Sequence, residues 1–127
     1  IVSFADGFPL MLIGSASLDA LNRRASRPQQ MTQFRPNLVV ATTEPFIEDQ
    51  WHRIRIGEIE LDVVKPCVRC VLTTIDPDTG IKAADGEPLK TLQQFRRSDK
   101  GVTFGQNLIA RSLGALRIGD LVDIVAD

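Results

Sequence analysis

Trp51-His52-Arg53-Ile54-Arg55-Ile56-Gly57-Glu58-Ile59-Glu60-Leu61-Asp62-Val63 is the stretch that decides the fold class. On either side of Gly57-Glu58, apolar and charged residues alternate with the period of two that belongs to a half-buried strand. A two-residue hairpin turn with glycine first sets Ile56 against Ile59, Arg55 against Glu60, Ile54 against Leu61 and Arg53 against Asp62. One face is then apolar, and the other opposes unlike charges. Each good cross-strand pair contributes about 0.2–1 kcal/mol. A slip of one residue would break all four pairs at once.

Outward from this hairpin, Leu10 to Ile13 is a short apolar run that reads as a buried strand, and Asn37 to Ala41 is again β-rich. Ser15 or Ser17 can cap a short helix with Leu18 and Leu21 on one face. Arg23 to Gln30, with Pro28, reads as a loop, and Thr42 to Gln50, with Pro45, as a connection. Asp76-Pro77-Asp78-Thr79-Gly80 is turn chemistry inside a loop expected from Thr73 to Asp85. Pro88 suits the first turn of a second helix, with Asp85 and Glu87 near its positive end. Leu89, Leu92 and Phe95 form its core stripe, and Arg96 and Arg97 close its last turn. Thr103 to Ala110 reads as a strand, and Arg117-Ile118-Gly119-Asp120 as a turn into a last strand, Leu121 to Val125. Many short strands with inserted helices predict a mostly β fold, barrel-like or strongly bent, with two or three short helices. Helices do not alternate with strands, which argues against an all-parallel α/β sheet.

The 127 residues suit one domain with a sizeable core. A net charge of −1 leaves no electrostatic footprint for nucleic acid. No apolar run approaches the roughly 20 residues that span a bilayer, and no signal peptide is visible. The first residue is Ile1, and Ile1 to Phe4 read like the middle of a longer protein; residues 1–127 are expected to be one domain of it. Two cysteines are too few for a secreted disulfide scaffold, so a reducing, cytoplasmic setting is expected.

Those cysteines form Cys67-Val68-Arg69-Cys70, which admits four readings. Half of a structural zinc site would need further ligands, and His52 is the chain's single histidine. A thioredoxin-like redox pair would sit at a helix N-terminus, where the dipole lowers the thiol pKa; Val71-Leu72-Thr73-Thr74 favours a strand there. Two small thiols could simply fill core in a strand. A single reactive or metal-binding thiolate could draw on Lys65 and Arg69, close in sequence. In a strand, however, Arg69 and Cys70 leave opposite faces unless the chain bends. The residues alone leave all four open.

Cys67-Val68-Arg69-Cys70-Val71-Leu72-Thr73-Thr74-Ile75-Asp76-Pro77-Asp78-Thr79-Gly80 resembles the cofactor-binding segment of the MOSC family, in the branch of the mitochondrial amidoxime reducing components and the bacterial YcbX proteins. Asp6-Gly7-Phe8-Pro9, Phe34-Arg35-Pro36-Asn37, the Glu87 to Leu92 segment, the Phe104 to Arg111 segment and Arg117-Ile118-Gly119-Asp120 agree with it in order. The resemblance implies that Cys70 is the catalytic residue and the protein's ligand to the metal of a molybdenum cofactor, a soft thiolate suited to it. It implies that Arg35 and Asn37 hold the cofactor, Arg35 by its phosphate, which a guanidinium binds bidentately. Asp6, Gly7 and Phe8 match a loop that meets the pterin, where Asp6 could accept from its amino edge. Arg69 and Asn107 are further cofactor contacts in the same reading. Each has a plainer alternative: Arg35 a surface ion pair, Asn37 a residue before a strand, Asp6-Gly7 a turn.

The resemblance further implies a reductase that removes oxygen from N-hydroxylated compounds, with electrons from a ferredoxin-like domain or a flavoprotein. Relatives carry an amino-terminal β-domain, and some a carboxy-terminal iron–sulfur domain. Neither is expected within these residues, since two cysteines cannot hold a cluster. The chain by itself is therefore expected to fold but to hold the cofactor poorly and to be inactive. Two rival readings remain: a module for cofactor sulfuration or carriage without substrate turnover, and a cofactor-free β-domain used for protein contacts.

Overall fold

The chain's computed structural model describes residues 2–4, 9–111, 114–117 and 119–126. Its strands are β1 (Val2–Phe4), β2 (Pro9–Gly14), β3 (Leu38–Val40), β4 (Arg53–Ile56), β5 (Ile59–Val68), β6 (Arg97–Ser98), β7 (Gly101–Ala110), β8 (Gly114–Leu116) and β9 (Val122–Ala126). Its helices are α1 (Ser15–Arg24) and α2 (Leu89–Phe95), and 3₁₀ turns occupy Met31–Phe34, Ile47–Gln50 and Val71–Thr74. The main sheet runs β3-β2-β7-β5-β4-β9, with β6 attached to β7, and β1 and β8 form a separate pair. Within it, β2 and β3 are parallel and the other pairings antiparallel. The fold is the expected one: mostly strand, a curled half-barrel sheet with two helices.

The β4–β5 hairpin has the register its sequence predicts, Arg53 to Asp62, Ile54 to Leu61, Arg55 to Glu60 and Ile56 to Ile59. Gly57 takes φ +59, as a glycine-first turn requires. Ile54, Ile56, Ile59 and Leu61 are all buried. The charged face is arranged differently from expectation. Arg53 meets Asp62 at 3.1 Å, but the ion pair of Arg55 is with Asp123 of β9, at 3.7 Å. Exposed pairs of this kind contribute about 0–1 kcal/mol, so the apolar face holds the register.

The unbroken run Leu10 to Ile13 has a simple cause. Leu10 and Leu12 enter one core with Trp51, Ile54 and Leu108, while Met11 and Ile13 enter a second with Leu21, Phe34, Leu92 and Phe104. A strand covered on both faces has no polar side. On β7, Val102 and Phe104 lie in the second core, Leu108 and Ala110 in the first. All four are even-numbered, so a regular strand would put them on one face. A bulge makes the switch: Pro66 pairs with Gln106 but Val68 with Thr103, one residue extra on β7, and Gly105 takes φ +88. A Cβ there would stand 3.0 Å from the Met11 sulfur and 3.1 Å from the Leu12 carbonyl oxygen. Gly105→Ala is expected to lower the free energy of urea unfolding by at least about 2 kcal/mol, through strain and crowding together. A loss below about 0.5 kcal/mol, the scale of a neutral surface change, would mean that the bulge relaxes freely.

Several element ends differ from expectation. α1 runs through Arg24, and its N-cap is Gly14, not a serine. Ser15 and Ser17 lie in its first turn and bond the 42–48 segment instead. Pro88 is the N-cap of α2, Arg96 its C-cap, and Arg97 already opens β6. After Cys70 the chain forms a 3₁₀ turn where a strand was expected. The cause is local: the Cys70 carbonyl accepts from the Thr73 N–H at 3.1 Å and from the Thr73 hydroxyl at 2.9 Å. Such side-chain-to-backbone bonds compete with a sheet ladder.

Candidate functional site

β5 runs out between the two cysteines. The Arg69 N–H still donates to Val102 O at 2.7 Å, and Cys70 keeps an extended backbone at φ −137°, ψ −170°. Alternation therefore sends Cys67 and Arg69 inward, Val68 and Cys70 outward. Cys67 is half-buried and packs on the second core, while Cys70 is exposed. Three extended steps of about 3.3 Å put the two Cα atoms roughly 10 Å apart, past the limit of about 7 Å for a disulfide. Both thiols are free. The redox-pair reading thus lacks its geometry, and the single 3₁₀ turn after Cys70 is no helix. Among the described residues no three His, Cys, Asp or Glu side chains gather as a metal site.

Arg69 is the hub of the site. Its Nε donates to Phe104 O at 2.8 Å and its Nη1 to Phe34 O at 3.0 Å; its Nη2 lies 3.2 Å from the Met11 sulfur. Its guanidinium also stands 5.2 Å from the centre of the Phe34 ring. Burial pulls its pKa below the ordinary guanidinium value, and the nearby thiol charges of Cys67 and Cys70 push it back up. The inward fork thus joins the cysteine segment to the β7 bulge and to the turn that precedes Arg35.

Arg35 ends the Met31–Phe34 turn with φ +54, in the left-handed region. That conformation costs a non-glycine residue about 1–2 kcal/mol and persists only where the surroundings over-determine it. Here they do: Arg69 holds the Phe34 carbonyl, and the Arg35 N–H donates to Thr32 O at 3.2 Å. Asn37, two residues on, accepts from the Met11 N–H at 2.8 Å through Oδ1 and donates its own N–H to Met11 O at 2.9 Å. The Arg35 side chain is exposed and has no hydrogen bond or ion pair among the described residues.

Met11 pairs with Asn107, and Asn107 with Lys65, across three strands. Asn37, Met11, Asn107 and Lys65 thus form one transverse row, and a cavity of about 340 Å³ opens over it. Asn37 has spent its amide oxygen on β2, so it offers its NH₂ to a ligand. A larger cavity, about 490 Å³, lies between the 27–33 and 74–83 segments and is lined by none of the expected site residues. The structure therefore connects Arg35, Asn37, Arg69, Cys70 and Asn107 through Arg69 and Met11. Asp6, Gly7 and Phe8 lie outside the described residues. Met11 was unreadable as a site residue, since its run signals only burial. Lys65 was legible only as a neighbour of the thiols.

A family model described as MOSC domain matches residues 1–123. The chain belongs to the MOSC domain family. This MOSC domain is 37% identical over 129 residues to mitochondrial amidoxime-reducing component 1 of Homo sapiens, covering 95% of this chain and 38% of the relative. It is 42% identical over 134 residues to mitochondrial amidoxime reducing component 2 of Rattus norvegicus, covering 99% of this chain and 39% of the relative. The chain thus spans well under half the length of these curated relatives. Among solved structures it is similar to YiiM from Geobacillus stearothermophilus, with a TM-score of 0.62 at 17% identity, over 92% of this chain and 54% of that one. At that identity the likeness concerns the fold of the MOSC domain alone.

Proposed function

We propose that this MOSC domain holds a molybdenum cofactor through Cys70 and serves, within a longer reductase, to remove oxygen from N-hydroxylated compounds. The observation that carries the reading is the division of labour at the end of β5. Arg69 and Cys67 turn inward, and one exposed thiol, Cys70, turns outward. The names of the relatives support amidoxime reduction over cofactor sulfuration. The donor set fits such a cofactor: one soft thiolate for the metal, an unpaired guanidinium for a phosphate, and two amides beside a lysine for polar edges.

In this reading Cys70 anchors the metal, and Arg35 fixes the far end of the cofactor. Asn37, Asn107 and Lys65 orient it from the row on the sheet. Arg69 contributes mainly by locking the Phe34 and Phe104 carbonyls, because its Nε, Nη1 and Nη2 are already engaged. When bound, the cofactor would supply two-electron oxygen-transfer chemistry. Overall an N–OH group becomes N–H and water. The reaction consumes two electrons and two protons, the electrons coming from a ferredoxin-like domain or a flavoprotein. A cytoplasmic, reducing setting belongs to the same proposal.

The test uses the full-length enzyme, with molybdenum content and reduction of an aryl amidoxime measured on the same sample. Wild type should carry the metal and turn over. Arg35→Ala should lower occupancy by roughly ten- to a hundredfold, the value of a lost charge-assisted contact, while activity per bound molybdenum stays near wild type. Arg35→Lys should restore occupancy only in part, since an ammonium cannot copy the planar fork. Full occupancy with collapsed turnover would move Arg35 to the substrate pocket. Molybdenum without reduction of any N-hydroxylated substrate would favour the carrier reading. A folded, metal-free wild type would sink both.

A further inference from the structure

On the far side of the second core, the end of α1 and the end of α2 frame a groove of about 450 Å³. Its floor is apolar, made by Ala20, Pro45, Phe46 and Phe95, and Arg23 and Arg24 rim it. Arginines in a last helical turn have an ordinary use, complementing the helix dipole. Two geometrically related units, which share the Phe46 and Phe95 rings of this groove, suggest more. Arg96 lies 4.1 Å over the Phe46 ring and donates to Asp49 at 2.6 Å. Arg24 lies 4.3 Å over the Phe95 ring. Phe46 and Phe95 themselves meet edge-on, with centroids 5.8 Å apart.

The first unit is complete: an arginine stacked on a phenylalanine with a carboxylate at its edge. The second has the arginine and the ring, but among the described residues no carboxylate pairs with Arg24 or with Arg23. Asp19, one helical turn before Arg23, makes no ion pair with it. Attraction to the ring face restrains the guanidinium where it lies, and its N–H donors are left for a carboxylate. A free inorganic anion would leave the apolar floor unused. Nucleic acid would need a basic track, which a chain of net charge −1 with a two-arginine rim does not provide.

We propose that this groove receives an acidic, partly apolar peptide segment of a partner protein, whose carboxylate completes the Arg24–Phe95 unit while an apolar side chain rests on Phe46 and Pro45. Arginine clusters are a recurring means of reading acidic motifs. The inference does not depend on the cofactor reading, because the groove contains none of the residues assigned to it.

The probe is a short acetylated peptide with an aspartate–leucine–glutamate core, titrated into the full chain while the arginine Nε–H signals are followed by NMR. Saturable shifts are expected at Arg23 and Arg24, with affinity falling as salt rises. Arg24→Gln should weaken binding about tenfold, and Arg24→Lys should not restore it. Replacing the peptide's leucine by glycine should also weaken it. Arg97→Gln removes an exposed arginine outside the groove and should bind as wild type. Thermal unfolding of each variant checks that the fold is kept. The proposal is overturned by unshifted arginines at millimolar peptide, by an equal loss in Arg97→Gln, or by equal shifts from inorganic phosphate or a single-stranded oligonucleotide.

Discussion

Cys70→Ser in the full-length enzyme is expected to abolish reduction of N-hydroxylated substrates, while Cys67→Ala keeps most of it. The two thiols sit three residues apart, yet the structure gives them opposite surroundings. Cys70 is exposed at the start of a tight turn, and Cys67 is half-buried against the second core. Serine is close in size but offers a hard oxygen where a soft metal prefers sulfur. Losing a residue that hydrogen-bonds a metal ligand typically costs 10- to 100-fold, so on the proposed function losing the ligand itself should cost at least about a hundredfold. Cys70→Ser should leave the unfolding free energy unchanged, because an exposed side chain has little packing to lose. Cys67→Ala should do the reverse, with a stability loss on the order of 1 kcal/mol and near-normal turnover per folded molecule. If Cys67→Ala abolished turnover and Cys70→Ser spared it, the ligand assignment would be wrong.

What could be read from the residues alone follows the range of each interaction. The β4–β5 pairing was legible to the residue because its partners are near neighbours and its turn is two residues long. The strand at Leu10 to Ile13 was legible, but its double role was not, since an apolar run does not say which two cores it feeds. The alternation of Cys67 and Arg69 with Val68 and Cys70 was visible. What Arg69 reaches was not, because Phe34 and Phe104 each lie 35 residues away from it. The turn after Cys70 was misread as strand because β-propensity counts branched residues and overlooks a threonine hydroxyl bonding back to a carbonyl. Arg55 does face Glu60 as its sequence predicts, but its ion pair with Asp123 was not legible, because β9 flanks β4 from a distance in sequence that a hairpin argument does not cover.

Glu48 is the residue whose importance was least legible, and its removal should carry the largest stability loss of any substitution outside the apolar cores. It was expected only as part of a connection, yet it is fully buried. Its Oε2 accepts from the Gly14 N–H at 2.8 Å and from the Ser17 hydroxyl at 2.7 Å, partners 34 and 31 residues away. Ser17 Oγ in turn accepts from the Phe46 N–H at 2.8 Å, and Thr42 Oγ1 from the Ala16 N–H at 3.0 Å. The 42–48 segment thus caps the first turn of α1 from outside, placing an acidic side chain where the helix dipole favours one. Glu48→Ala would leave the Gly14 N–H and Ser17 hydroxyl buried without their acceptor, each costing about 1–3 kcal/mol, and would open a cavity beside them. A loss of about 3–5 kcal/mol is expected on those terms. At roughly 4 °C per kcal/mol for a domain of this size, it should appear as a fall of about 12–20 °C in Tm. Glu48→Gln keeps an oxygen acceptor in the same place and should lose less than half as much. Both variants are compared by calorimetry. The order matters more than the sizes: equal losses would locate the effect in the charge of the carboxylate rather than in the cavity or in an oxygen acceptor as such, and a loss below about 1 kcal/mol in Glu48→Ala would show that water can take over the capping bonds. Because α1 continues directly from β2, a loosened first turn should also reach Met11, and through its sulfur Arg69 and the strand end that presents Cys70.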